Sequence, residues 1–129
     1  MTKTAVDTNN AEFCAALGDQ DMDRLMRFYD PDITLLIPGV PPIRGHEGVR
    51  AYYSNVFAAG VTGAEMRTLQ VEEVGDTLVE VGEYTMGLEP PGADAFEDAG
   101  KYFVIHRRQA DGGWAMWIDM FHSDTAAAA

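Results

Sequence analysis

Thiols are almost absent from this chain. Cys14 is the only cysteine, so no disulfide can close within the chain and no zinc cluster can be built from thiolates. Positive charge is scarce too. Nine Lys and Arg stand against 21 Asp and Glu, a formal net charge of −12 at pH 7. Phosphate backbones and anionic membrane surfaces both select clustered basic side chains, so neither nucleic acid nor a membrane is expected as a partner. The opening residues, MTKTAVDTNN, carry no apolar stretch of a signal peptide. No run approaches the roughly 20 apolar residues that a membrane helix needs. The expectation is an acidic cytoplasmic domain. The three histidines, His46, His106 and His122, fall in no metal pattern such as H-x-H or H-E-x-x-H. A Gly-rich phosphate loop, a G-x-S-x-G elbow and a dinucleotide fingerprint are also missing. No metal and no cofactor is therefore expected.

What is present suffices for a packed core. Hydrophobic residues make up 47% of 129, which suits a single domain. Residues 1–8 are polar and read as a flexible N-terminus, 9–124 as one domain, and 125–129 as a flexible tail. Asn9 and Glu12 have the spacing of a capping box, and Gly18 is a plausible stop for a first helix. Met22, Leu25, Met26 and Tyr29 follow the i, i+3, i+4, i+7 pattern of a second helix, ended by Asp30-Pro31. "DITLLIP" reads as a short strand. "HEGVRAYYSNVFAAG" reads as a third helix, with Val49, Tyr52, Tyr53 and Val56 on one face. Residues 63–74, 77–88, 98–109 and 114–122 then read as four strands, the first and last pairs joined by tight turns. Helices first and long antiparallel strands after them make an α+β pattern. Long strands coil, and helices laid across the concave side leave a hollow suited to a ligand.

The stretch "GGWAMWIDMFHSD" sharpens this. By simple alternation Trp114, Met116, Ile118 and Met120 share one face, and Trp117, Asp119 and Phe121 the other. Both faces are apolar, yet one carries a carboxylate between aromatic rings. Together with "GDQDMDRLMRFYDPDITLLIPG", "RGHEGVRAYY" and "GKYFVIHRRQADGG", the stretch resembles the SnoaL-like branch of the nuclear-transport-factor-2-like (ketosteroid isomerase-like) superfamily. The resemblance runs over roughly residues 9–124. It implies a cone: a strongly curved antiparallel sheet wrapped around three N-terminal helices, with a pocket between them. It also implies a homodimer, which would cover the second apolar face. For function the superfamily is diverse, from isomerases, cyclases and dehydratases to domains that only bind or assemble.

Asp119 is the first catalytic candidate. If it faces the pocket, desolvation raises its pKa into the range useful for proton exchange near neutrality. With "ADGG" as the hairpin tip, Asp119 is expected opposite Phe103, so that Lys101, Phe103, Ile105, Trp117, Asp119 and Phe121 share one face, which the resemblance implies is the pocket face. Tyr84 is the second candidate, as a phenol that steadies a carbonyl or enolate oxygen. Glu80 and Gly82 share its strand face, and Gly82 is expected to admit a close neighbour. Tyr29, Tyr52 and Tyr53 fall on helical core faces, from which a ring can be shown to a ligand, with Tyr29 and Tyr53 as the substrate-binding candidates. His46 reads as a surface residue, His106 as an outer-face residue, and His122 as lying near the pocket mouth. In the ketosteroid isomerase arrangement an Asp base follows the first strand and a Tyr sits on the first helix; those positions match Ile37 or Pro38 and Cys14, which cannot serve. The expectation is a cofactor-independent acid–base enzyme, of cyclase, isomerase or dehydratase type, acting on a small apolar carbonyl compound. The alternative is a non-catalytic ligand-binding or assembly domain of the same fold.

Overall fold

The structure is a computed structural model, and it describes residues 3–125. Three helices, α1 (Lys3–Gly18), α2 (Met22–Met26) and α3 (Gly45–Ala58), accompany six strands: β1 (Tyr29–Leu36), β2 (Ile43–Arg44), β3 (Val61–Val74), β4 (Thr77–Leu88), β5 (Phe96–Arg108) and β6 (Trp114–Ser123). The strands form one curved, unclosed sheet in the order β2-β1-β6-β5-β4-β3. This is the expected α+β cone. Neighbours are antiparallel except β1 and β6, which run parallel.

The helices cover the inner face through apolar stripes. On α1, Val6, Asn10, Phe13, Cys14 and Leu17 are buried at helical spacing. α1 begins at Lys3, six residues before the expected cap at Asn9, so residues 3–8, expected to be flexible, are helical. Asn9 lies within that helix, and Asn10 turns inward. The remaining termini, 1–2 and 126–129, lie outside the described residues, and with them most of the expected tail at 125–129. None of the described helices is long and apolar enough to cross a membrane.

The second helix is shorter than its periodicity suggests. Asp21 caps it by accepting from the Arg24 N–H, and it ends at Met26. Tyr29, expected on that helix, is the first residue of β1. The reason is Pro31, which disfavours the helical region for Asp30 and keeps this stretch extended. The extension is then secured from outside. Asp30 is buried and accepts from Arg107 Nε at 3.0 Å, Arg107 Nη2 at 2.7 Å and Gln109 Nε2 at 2.9 Å. Burial pushes its carboxyl up, but these donors and the Asp32 N–H outweigh that and hold it at about 2. The Arg107 guanidinium also lies 4.7 Å from the centre of the Trp117 ring.

Trp117 marks a local irregularity with a large consequence. Ile118 pairs with Ile105, but the next pair is Met116 with His106, so one residue of β6 is left over. Such a bulge reverses the in–out phase of the strand. Met116, Asp119 and Phe121 all line the interior, and Trp117 lies across from them against Arg107. Gly82 shows how tightly the inner layer is built. A Cβ placed there would lie 2.2 Å from Tyr102 Cζ and 2.6 Å from the Arg67 carbonyl oxygen. Gly82→Ala should therefore destabilise the fold by about 1–3 kcal/mol through overpacking, read from the midpoint of urea unfolding at unchanged slope.

Candidate active site

Between the helices and the sheet lies a cavity of about 70 Å³. Its wall is almost wholly apolar or aromatic, with Phe13 from α1, Tyr52 and Tyr53 from α3, Met66 from β3, Met86 from β4 and Phe121 from β6. Asp119 is the one carboxylate among the lining residues, and no Lys, Arg or His joins it. The aromatic wall is continuous. Ring centres are 5.1 Å apart for Tyr52 and Tyr53, 6.1 Å for Tyr52 and Phe121, and 5.9 Å for Phe121 and Tyr84.

Asp119 is 5% exposed. Its Oδ2 accepts a hydrogen bond from the Tyr29 hydroxyl at 3.2 Å, and the Tyr29 and Tyr53 hydroxyls are 2.8 Å apart. A hydroxyl has one proton to donate. With Tyr29 donating to Asp119, Tyr53 must donate to Tyr29, so the chain has one direction. Oδ1 has no partner among the described residues, and no buried side-chain oxygen is left unpaired there. Oδ1 is thus the atom a ligand in the cavity can reach. Burial pushes the Asp119 carboxyl up, the Tyr29 hydrogen bond opposes this, and the Glu80 charge adds to it; the outcome is a pKa of about 7 against an ordinary 3.8.

The fold that carries this cavity is that of a known family. A family model described as a SnoaL-like domain matches residues 11–117. The chain belongs to the SnoaL-like domain family. Solved structures agree on the fold. A ketosteroid isomerase-like protein from Erwinia carotovora atroseptica superposes with a TM-score of 0.79 at 18% identity, over 94% of this chain and 95% of the other. A conserved protein from Planctomyces limnophilus gives 0.84 at 22% identity, over 94% of each chain. A nuclear transport factor 2-like superfamily protein from Salmonella enterica gives 0.79 at 10% identity, over 98% of this chain and 94% of the other. No curated protein matches the chain.

Within the SnoaL-like domain, the register decides which expected residues meet. Asp119 pairs with Val104, not with Phe103, because the bulge at Trp117 shifts the register by one residue beyond it. The inward residues of β5 are therefore Tyr102, Val104 and His106. Lys101, Phe103, Ile105 and Trp117 do not line the cavity, which corrects the face expected for them, and His122, expected near its mouth, is not among the lining residues either. Lys101 is exposed and pairs with Asp124, and exposed His122 donates to the Ser123 carbonyl at 2.6 Å. Tyr53, Tyr84 and Phe121 do line the cavity, and Tyr29 reaches it through Asp119. The Tyr84 hydroxyl is turned to the Asp98 carboxylate at 3.1 Å, so its ring rather than its oxygen faces inward.

Three residues take roles beyond their sequence reading. Tyr52 lines the cavity, and its hydroxyl has no hydrogen-bond partner among the described residues. Burial and then the nearby Asp119 and Asp98 push that phenol up to about 12, so it stays a proton donor. His46, half-buried, donates to the Tyr29 carbonyl at 2.8 Å and so fixes the backbone under the acid. His106 is buried, not on the outer face, and lies 2.8 Å from Glu80 Oε1. The signal available for this last pair was polar residues at buried positions of otherwise apolar patterns: Asn10 on α1, Thr68 on β3 and Glu80 on β4. Among the described residues no group of His, Cys, Asp and Glu is placed to hold a metal.

The raised Asp119 carboxyl has a stability consequence. The folded state holds this proton more tightly than the unfolded chain does, so this group's contribution to stability is fully present below pH 3.8 and is lost as pH rises towards about 7. Relative to Asp119→Asn, the wild type should lose unfolding free energy across that window and show no further difference above it. Urea unfolding of both proteins over this pH range checks the sign.

Proposed function

We propose that this protein is a cofactor-independent acid–base enzyme that moves a proton next to the carbonyl group of a small apolar compound. The observation that carries the reading is Asp119: a lone carboxyl in a greasy cavity, one oxygen tied to Tyr29 and the other open to a ligand. As a carboxylate, Oδ1 takes a proton from the carbon alpha to the carbonyl. The electron pair moves onto the carbonyl oxygen as an enolate. The Tyr52 hydroxyl is the available donor to that oxygen, in place of Tyr84 and Lys101, which are bonded to Asp98 and Asp124. The held proton is then returned to carbon or to oxygen, giving isomerisation, ring closure or loss of water according to the substrate. A pKa near neutrality suits a group that must both take and give a proton.

The test is exchange of the alpha protons of cyclohexanone in heavy water, followed by NMR. Asp119→Asn should lower the enzyme-dependent exchange by about 10²–10⁴-fold while the protein stays folded. Exchange persisting in Asp119→Asn moves the chemistry to another residue. A non-catalytic binding role is the second reading, favoured by the commitment of Tyr84 and Lys101 to carboxylates. It predicts that wild-type protein binds such a ketone and returns it without exchange.

The outer sheet face supports a homodimer. Val81, Phe103 and Met120 form one cross-strand row, and Val79, Ile105 and Ile118 the next. Met120 is 45% exposed. A second copy laid on these rows would cover them. Sedimentation at micromolar concentration should show a dimer that Phe103→Glu dissociates; a monomer at all concentrations removes this face as an interface.

A further inference from the structure

A second carboxylate lies in the same interior, and the reaction above gives it no part. Glu80 on β4 is 0% exposed. Four donors surround it. Oε2 accepts from Tyr102 OH at 2.6 Å, Asn10 Nδ2 at 2.7 Å and Thr68 Oγ1 at 3.0 Å, and Oε1 meets His106 Nε2 at 2.8 Å. Burial alone would push this carboxyl up, but hydrogen bonds from His106, Tyr102 and Asn10 outweigh it and hold it below its ordinary value. A carboxyl enclosed by donors has little room for a proton of its own.

The register places this charge close to the acid. Glu80 pairs with Val104, and Val104 pairs with Asp119. The three residues form one row across β4, β5 and β6, all buried on the inner face. Two strand spacings separate the outer members, about 10 Å between Cα atoms. Val104 between them is apolar and 1% exposed, so no mobile charge screens the pair. The other ionisable groups facing Asp119 are Cys14 from α1, Tyr52 and Tyr53 from α3, Tyr29 from β1, Tyr84 from β4, and Tyr102 and His106 from β5. The thiol and the phenols carry no charge near neutrality, and His106 is committed to Glu80.

We propose that Glu80 is a fixed negative charge that keeps the proton on Asp119, a positioning residue acting through space on the acid. Two carboxylates facing one low-dielectric interior resist ionising together. The one with four donors keeps its charge, and the one with a single donor keeps its proton. The division of labour follows from donor count. At a fixed protonation state of His106, removing the Glu80 carboxylate makes the local field more positive. This inference rests on reading Asp119 as the proton-transfer group.

The experiment is a carbon-13 NMR titration of the Asp119 carboxyl in wild type, Glu80→Gln and Thr68→Val. Glu80→Gln removes the charge; Thr68→Val loosens the same network and leaves the charge. The midpoint for Asp119 should fall by about one pH unit in Glu80→Gln and stay put in Thr68→Val. No movement in Glu80→Gln overturns the proposal, and so does an equal fall in both variants, which would mean the network acts by keeping water out. If Glu80→Gln does not fold, the wild type answers. Coupling is mutual, so the Glu80 carboxyl resonance should shift at the Asp119 midpoint, and a flat trace there overturns the proposal. An ordinary Asp119 midpoint in wild type sinks the base itself. A raised midpoint unmoved by Glu80→Gln sinks only this inference.

Discussion

A carboxyl group buried without a cation is the constraint on which the site depends. Asp119 has one hydrogen-bond donor, Tyr29, and no basic residue beside it in the cavity. Desolvation of a lone carboxylate is costly, and a protein answers either by pairing the charge or by holding the proton. The same structure shows both answers. Asp30 is paired with Arg107 and Gln109 and held at about 2, whereas Asp119 is left with a phenol and rises to about 7. Both side chains are nearly closed to solvent, but Asp119 lies the deeper and lacks a cation, so desolvation wins there and the donors win at Asp30.

The scaffold holds that arrangement in place. Tyr29 stands at the start of β1, where Pro31 and the Asp30–Arg107 clamp hold the chain extended. His46 fixes the Tyr29 carbonyl from α3, and Tyr53 on the same helix supplies the second hydroxyl of the chain. The bulge at Trp117 turns Asp119 inward and lays the indole under Arg107. The clamp and the bulge are coupled: Arg107 holds β1 with its guanidinium edge and β6 with its face.

Much of the fold was legible. Turn residues such as Gly75-Asp76 and the ADGG stretch bound the strands, and alternation or helical spacing fills the segments between them. The third helix, Gly45–Ala58, follows the spacing of Val49, Tyr53 and Val56. The failures were local and physical. Met22, Leu25, Met26 and Tyr29 fit a helical stripe, but the last of them belongs to a strand, and the residue-before-proline rule at Asp30 was the competing signal. A one-residue bulge has no reliable signature in alternating sequence, so Trp117, Ile105, Phe103 and Lys101 were assigned the wrong face while Asp119 and Phe121 were assigned the right one. The Glu80 network joins Asn10, Thr68 and His106 across as many as 70 positions. Pattern reading shows each as an odd polar residue and cannot show that they meet.

The central claim is that Asp119 keeps its proton near neutrality. Infrared difference spectroscopy between wild type and Asp119→Asn tests it most directly, because a protonated carboxyl has a carbonyl-stretch band that a carboxylate lacks. At about pH 6, below the midpoint near 7, the account predicts such a band in the wild type, absent from the variant and fading as pH rises. A wild-type spectrum with only carboxylate bands at that pH would contradict it.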